Sequence, residues 1–89
     1  MKHILTNKTF TKHYKLRVAP NWKLRRQFAK RLSQFTEDRQ QALLFDHALT
    51  GLLHGKRAFS ISGDIRVIYI ESNEDIILLD IGTHAQVYQ

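Results

Sequence analysis

The chain has 89 residues, 43% of them apolar, with no cysteine and a formal net charge of +6. That is room for one domain, 1–89, held together by packing without disulfides or a thiolate metal site; no apolar run is longer than Ile76 to Leu79, far short of the ~20 residues of a membrane span. The charge is split, with eleven of the fourteen Lys and Arg but only two acids in residues 1–45 (+9), against three Lys and Arg and six acids in residues 46–89 (−3).

Lys2 to Leu5 is expected to form a short strand. Thr6 or Asn7 can cap a first helix, because a side-chain oxygen there accepts from the free first-turn N–H groups. Phe10, Tyr14 and Val18 then recur every four residues as one apolar stripe, and Pro20 ends the helix by disfavouring a helical Ala19. Asn21 can cap the second helix. Leu24, Phe28, Leu32 and Phe35 keep the helical period, so this helix is expected over about 21–41. The short Ala-Pro-Asn turn makes the pair an αα-hairpin.

After Asp46 the pattern changes. Residues 46–51 read as a loop. Arg57 to Ser62 alternates, with Phe59 and Ile61 on one side and Ala58, Ser60 and Ser62 on the other, as in a half-buried strand. Ser62-Gly63-Asp64 is a turn signal, and Arg66 to Ile70 a second strand. Ile76 to Ile81 reads as an interior strand, ended by Gly82-Thr83-His84, with Val87-Tyr88 as a short final piece. The order β-α-α-β-β-β predicts an α+β fold, two N-terminal helices packed on a small antiparallel sheet. Ser60, Ser62, Arg66 and Asp80 leave its second face partly open.

His47, Asp64, Arg66 and His84 all lie in loops or near strand ends, which a meander can bring together. Two histidines, a carboxylate and an arginine form a kit for cleaving RNA without a metal. The 2′-hydroxyl must lose a proton, the 5′-oxygen must gain one, and the five-coordinate phosphate needs a cation. Histidine titrates near working pH, and the guanidinium fork binds two phosphate oxygens at once. Each residue also has a plainer use. Asp64 suits a hairpin turn, Arg66 can pair with Asp80 or Asp64, and Tyr88 can anchor the core. His3, His13 and His54 have no company that suggests a site, and no His-x-x-x-His pair suggests a metal. No cofactor is expected.

Four ordered segments carry a resemblance: Asp-His-Ala-Leu-Thr-Gly (46–51), Gly-Lys-Arg-Ala-Phe-Ser-Ile (55–61), Gly-Asp-Ile-Arg-Val-Ile-Tyr (63–69) and Ile-Gly-Thr-His-Ala-Gln-Val-Tyr (81–88). Together they resemble the YafQ branch of the RelE/ParE toxin superfamily, and the helical half agrees in length and order. The resemblance implies the toxin of a type II toxin–antitoxin system: a ribosome-dependent endoribonuclease that cuts mRNA, is neutralised by a cognate antitoxin and meets operator DNA only through the antitoxin complex. It implies catalytic roles for His47, Asp64, Arg66 and His84, with Arg57 and Lys56 on the RNA and Tyr88 against a base.

This chain departs from the YafQ pattern twice, with Ser60 in place of a strand-borne histidine and Asp80 in place of an arginine. Two alternatives therefore stay open: a ParE-like toxin that blocks gyrase, and a decayed toxin that only binds. The basic first half is expected to dock on ribosomal RNA through residues such as Arg25, Arg26 and Lys30, with an acidic antitoxin segment competing for part of that surface.

Overall fold

The computed structural model describes residues 2–88. Strand β1 (His3–Thr6) leads into helices α1 (Lys8–Arg17) and α2 (Trp22–Glu37). The Asn7 side chain accepts from the Phe10 amide at 2.8 Å, and that of Asn21 from the Lys23 and Leu24 amides at 3.1 and 3.2 Å. The expected caps are therefore both in use. Helix α2 stops four residues before the expected end. Asp38 is extended there, with φ −160°, and its carboxylate accepts from the Gln40 amide at 3.0 Å. That local turn competes with another helical residue.

After a short 3₁₀ turn at Ala42–Leu44 come strands β2 (His47–Ala48), β3 (Arg57–Ser62), β4 (Ile65–Glu71) and β5 (Asp75–Thr83), and a one-turn helix α3 (His84–Val87). The sheet order is β1-β5-β4-β3-β2. The α+β class is as expected, but the sheet is mixed. β1 pairs with β5 in parallel, His3 opposite Asp75 and Thr6 opposite Leu78. A parallel neighbour needs a long crossover, and the two helices supply one. The expected loop at His47 is instead a two-residue strand on the edge of β3. Gly82 does not end β5, and residues 84–87 form helix in place of an extended piece.

Both long helices cover one face of the sheet. Phe10, Val18 and Phe35 pack there on Phe59, Ile61, Val67 and Tyr69. Phe35 stacks on Phe59 with centroids 4.3 Å apart. β5 carries a bulge: Ile68 faces Asp80, yet Tyr69 faces Leu78. The extra residue changes the parity of the strand, so that Ile76, Leu78 and Ile81 all join this core. Asp80 is left facing α1, where His13 Nδ1 lies 2.5 Å and Arg17 Nη1 3.6 Å from its carboxylate. His13 thus has a partner that its sequence context did not indicate.

The other face holds a smaller cluster of Leu49, Ala58, Ile68 and Val87, flanked by Leu53, Leu79 and Tyr88. Among the described residues the 49–53 segment and α3 cover it, which leaves a depression beside them. Among the described residues no helix is long and apolar enough to cross a membrane.

Candidate active site

The open face is held in shape from below. The Asp46 side chain is only 4% exposed. It accepts from the Tyr69 hydroxyl at 2.6 Å and from Arg57 Nη2 at 2.9 Å, while Arg57 Nε donates to the same hydroxyl at 3.1 Å. Burial, followed by the hydrogen bond to Asp46, raises the pKa of Tyr69, so the phenol stays protonated and keeps donating. The bond to Asp46 likewise raises the pKa of Arg57. This triangle fixes the residue immediately before His47.

His47 Nδ1 lies 2.8 Å from the Phe45 carbonyl. A carbonyl can only accept, so Nδ1 carries the proton, and Nε2 of the neutral ring is left with a free lone pair. His84 is presented differently, from the first residue of α3. The Thr83 hydroxyl accepts from the Gln86 amide at 3.3 Å, and the Gln86 side chain accepts from the Thr83 amide at 2.8 Å. This capping box sets the direction in which the helix leaves the strand. Gly82 leaves room for the same arrangement. A Cβ there would lie 2.6 Å from Gln86 Oε1 and 2.7 Å from Arg17 Nη1. The Gly-Thr-His segment therefore has a structural reason for each of its first two residues, and together they place the third.

Arg66 sits mid-strand on β4, opposite Ser60 of β3 and Gly82 of β5. Its guanidinium carbon lies 5.7 Å from the centroid of the Tyr88 ring. The His84 and Tyr88 rings meet edge to face with centroids 4.4 Å apart. His47, Arg66, His84 and Tyr88 line one cleft of about 460 Å³, walled on the far side by the 48–53 segment. Among the described residues no Asp or Glu side chain lines it. Arg66 Nε and the Tyr88 hydroxyl are both shut off from solvent without a hydrogen-bond partner. Gln34 Oε1 in the helical layer is also without a partner, but these two lie together at the cleft, where a ligand or ordered water can satisfy them.

Asp64 stands at the rim. Its carboxylate is 3.7 Å from Arg66 Nη2 and mostly exposed, and it follows Gly63, whose φ of 47° makes the tight turn. The charge on Arg66 thus faces Asp64, since Asp80 is taken by α1. Arg57 lies away from the cleft, committed to Asp46, and Lys56 does not line it either. Arg25, Arg26 and Lys30 belong to the helical layer on the opposite side of the sheet. Arg25 Nη1 donates to the Ala19 carbonyl at 2.5 Å, while Arg26 and Lys30 border a shallow groove with the exposed Trp22. Among the described residues, no three His, Cys, Asp or Glu side chains gather as a metal site.

The family model for the bacterial toxin of the type II toxin–antitoxin system, YafQ, matches residues 2–89. No curated protein matches the chain. Among solved structures, a histidine-to-glutamine mutant of E. coli YafQ superposes with a TM-score of 0.84 at 20% identity, covering 100% of both chains. YafQ in the E. coli DinJ–YafQ complex gives 0.76 at 22% identity, again over 100% of both chains. A metal-bound toxin from Helicobacter pylori gives 0.77 at 25% identity, over 98% of this chain and 99% of that one. These structures share the fold described above, and the family match spans nearly the whole sequence, so the chain belongs to the YafQ family of type II toxin–antitoxin toxins.

Proposed function

We propose that this toxin is a metal-independent endoribonuclease that cuts mRNA on the ribosome. The observation that carries the reading is the convergence of His47, Arg66, His84 and Tyr88 on one cleft. His47 Nε2 takes the proton of a 2′-hydroxyl, and the freed oxygen attacks the adjacent phosphorus. Arg66 binds the non-bridging oxygens as negative charge builds on them, with Asp64 holding the guanidinium from the rim. His84, in its protonated form, gives its proton to the departing 5′-oxygen. The products are a 2′,3′-cyclic phosphate and a 5′-hydroxyl, with no net change in protons. Tyr88 offers a ring face to a base.

Docking and control use the rest of the surface. The α2 cations Arg25, Arg26 and Lys30 approach ribosomal RNA from the helical layer, and each phosphate they neutralise makes binding more salt-sensitive. DinJ in the E. coli complex supports a cognate antitoxin as the neutralising partner here. Operator DNA is reached only through that complex, and the site of action is the cytoplasm. Lys56 and Arg57 remain auxiliary RNA contacts, Arg57 through the part of its guanidinium not held by Asp46.

The test is a purified translation reaction with end analysis of the mRNA. Cleavage within codons, dependent on ribosomes, persisting in a chelator and leaving cyclic phosphate ends, is expected. Ends carrying a 5′-phosphate would contradict the mechanism, and gyrase inhibition without cleavage would assign the protein to another target.

A further inference from the structure

We propose that Phe45 is the stacking platform of a second, base-sized subsite, so that the site holds two successive nucleotides with their shared phosphate over His47 and Arg66. The inference rests on the RNA-cleaving reading of the cleft. His47 and Arg66 do not close the cleft on their far side. They also wall a smaller hollow of about 130 Å³, bordered by Leu43, Phe45, Phe59 and Ser60. That is close to the roughly 150 Å³ of an apolar cavity known to take a benzene ring, so it admits one flat ring and little more.

Phe45 has no structural reason to be an aromatic residue. It ends the 3₁₀ turn in the left-handed region, with φ 48°, where Gly or Asn fits and a bulky side chain is an outlier. The turn is therefore not what requires it. Neither is the core. Phe45 is 70% exposed, while the adjacent Leu44 is fully buried. The ring instead lies against that of His47, centroids 5.0 Å apart at 46°. The same residue offers its carbonyl to His47 Nδ1. One residue thus orients the proton acceptor and leaves an aromatic face beside it.

Tyr88 occupies the corresponding place on the other side, against His84 and Arg66. Two rings flank a central cation with an imidazole next to each. An unstacked RNA strand has this arrangement of parts, alternating flat bases with single phosphates. An acidic peptide lacks the regular flat groups. Ser60 borders the hollow next to Arg66. Its small side chain leaves room for a base edge and offers it a hydroxyl.

The probe is a dinucleoside monophosphate with a 2′-deoxy first sugar, which lacks the attacking hydroxyl, titrated into the intact protein and followed by aromatic NMR. Phe45 and Tyr88 ring signals should shift together and saturably, and inorganic phosphate should leave Phe45 unmoved. Phe45→Asn should keep or raise the melting temperature, because Asn tolerates the left-handed turn. It should nevertheless weaken dinucleotide binding about fivefold or more, and Phe45→Tyr should restore it to within about twofold, as one base–aromatic stack predicts. An unmoved Phe45 ring at saturation, or an Asn variant that binds like the parent, overturns the subsite. So does an Asn variant that loses only antitoxin affinity, which would give this surface to a protein. A protein that binds the dinucleotide at Phe45 yet leaves translated mRNA intact retains the subsite and refutes the nuclease.

Discussion

Arg66 lies over the ring of Tyr88, with 5.7 Å from guanidinium carbon to ring centroid, on the sheet face that the two long helices leave open. The contact aims a planar fork into the cleft while hiding its Nε from water. Arg66→Lys keeps the charge but loses the fork and the stacking plane. Single-turnover cleavage by that variant should fall about 100-fold, the scale of removing one preorganised donor to a developing anion, with little change in melting temperature. A lysine variant as fast as the parent would show that bulk charge suffices.

The Asp46 triangle supports stability more than chemistry. Asp46→Ala leaves Arg57 and the Tyr69 hydroxyl without their acceptor. The loss should be about 3 kcal/mol, at the low end for breaking a buried ion pair, because Arg57 keeps some contact with water. Tyr69→Phe should cost about 1–2 kcal/mol through the unsatisfied carboxylate oxygen. Denaturant melts check both values, and a shared network predicts that the double variant loses less than the sum.

Gly82→Ala separates local room from fold. The added methyl group meets the ends of Gln86 and Arg17. Either end can move, but only by loosening the Thr83–Gln86 cap or the 3.0 Å bond from Arg17 Nη1 to the Ile81 carbonyl. A loss of about 1 kcal/mol is expected, comparable to a helix cap. Cleavage should fall by more than that loss explains, because α3 carries His84. Full activity with a lowered melting temperature would mean that the cap does not position the histidine.

Glu71 gives a pH dependence whose direction is set by its partners. Lys2 Nζ at 2.7 Å and Arg39 Nη1 at 2.6 Å hold its pKa below the usual 4.5. The unfolded chain therefore binds a proton more readily than the folded one. The stabilisation is complete above the unfolded pKa and is lost as pH falls through the lower folded value. Glu71→Gln should cost no more than about 1 kcal/mol at pH 7, since the cluster is partly solvated, and should match the parent in acid. A difference that persisted in acid would point to packing in place of charge.

Much of this architecture is legible locally. Asn7 and Asn21 announce their helices, and the alternation of β3 separates Phe59 and Ile61 from Ala58 on the two faces. The turn at Gly63 and the interior character of β5 are equally plain. What is not legible depends on contacts distant in sequence. Nothing in His3–Thr6 says that it runs parallel to β5, and nothing in Ile76–Ile81 marks the bulge that sends Asp80 to His13 and Arg17. Arg57 shows the same effect at the site: the family resemblance implies a contact with RNA, and the fold also puts Asp46 and Tyr69 within its reach. His47, Arg66, His84 and Tyr88 meet because β2, β4 and α3 share one face, while Asp64 stays at the rim of its turn. Phe45 is an aromatic residue in a left-handed turn position that Gly or Asn fits better, which only the backbone conformation reveals.

The most direct measurement is cleavage of a translated mRNA by the parent protein, His84→Ala and His47→Ala, each confirmed folded and each tested with growth arrest in a sensitive host. The account predicts that the parent cuts and arrests growth, and that either alanine variant binds ribosomes normally but cuts about 100-fold or more slowly, as expected for losing a positioned acid or base. Alanine variants as active and as toxic as the parent would contradict it.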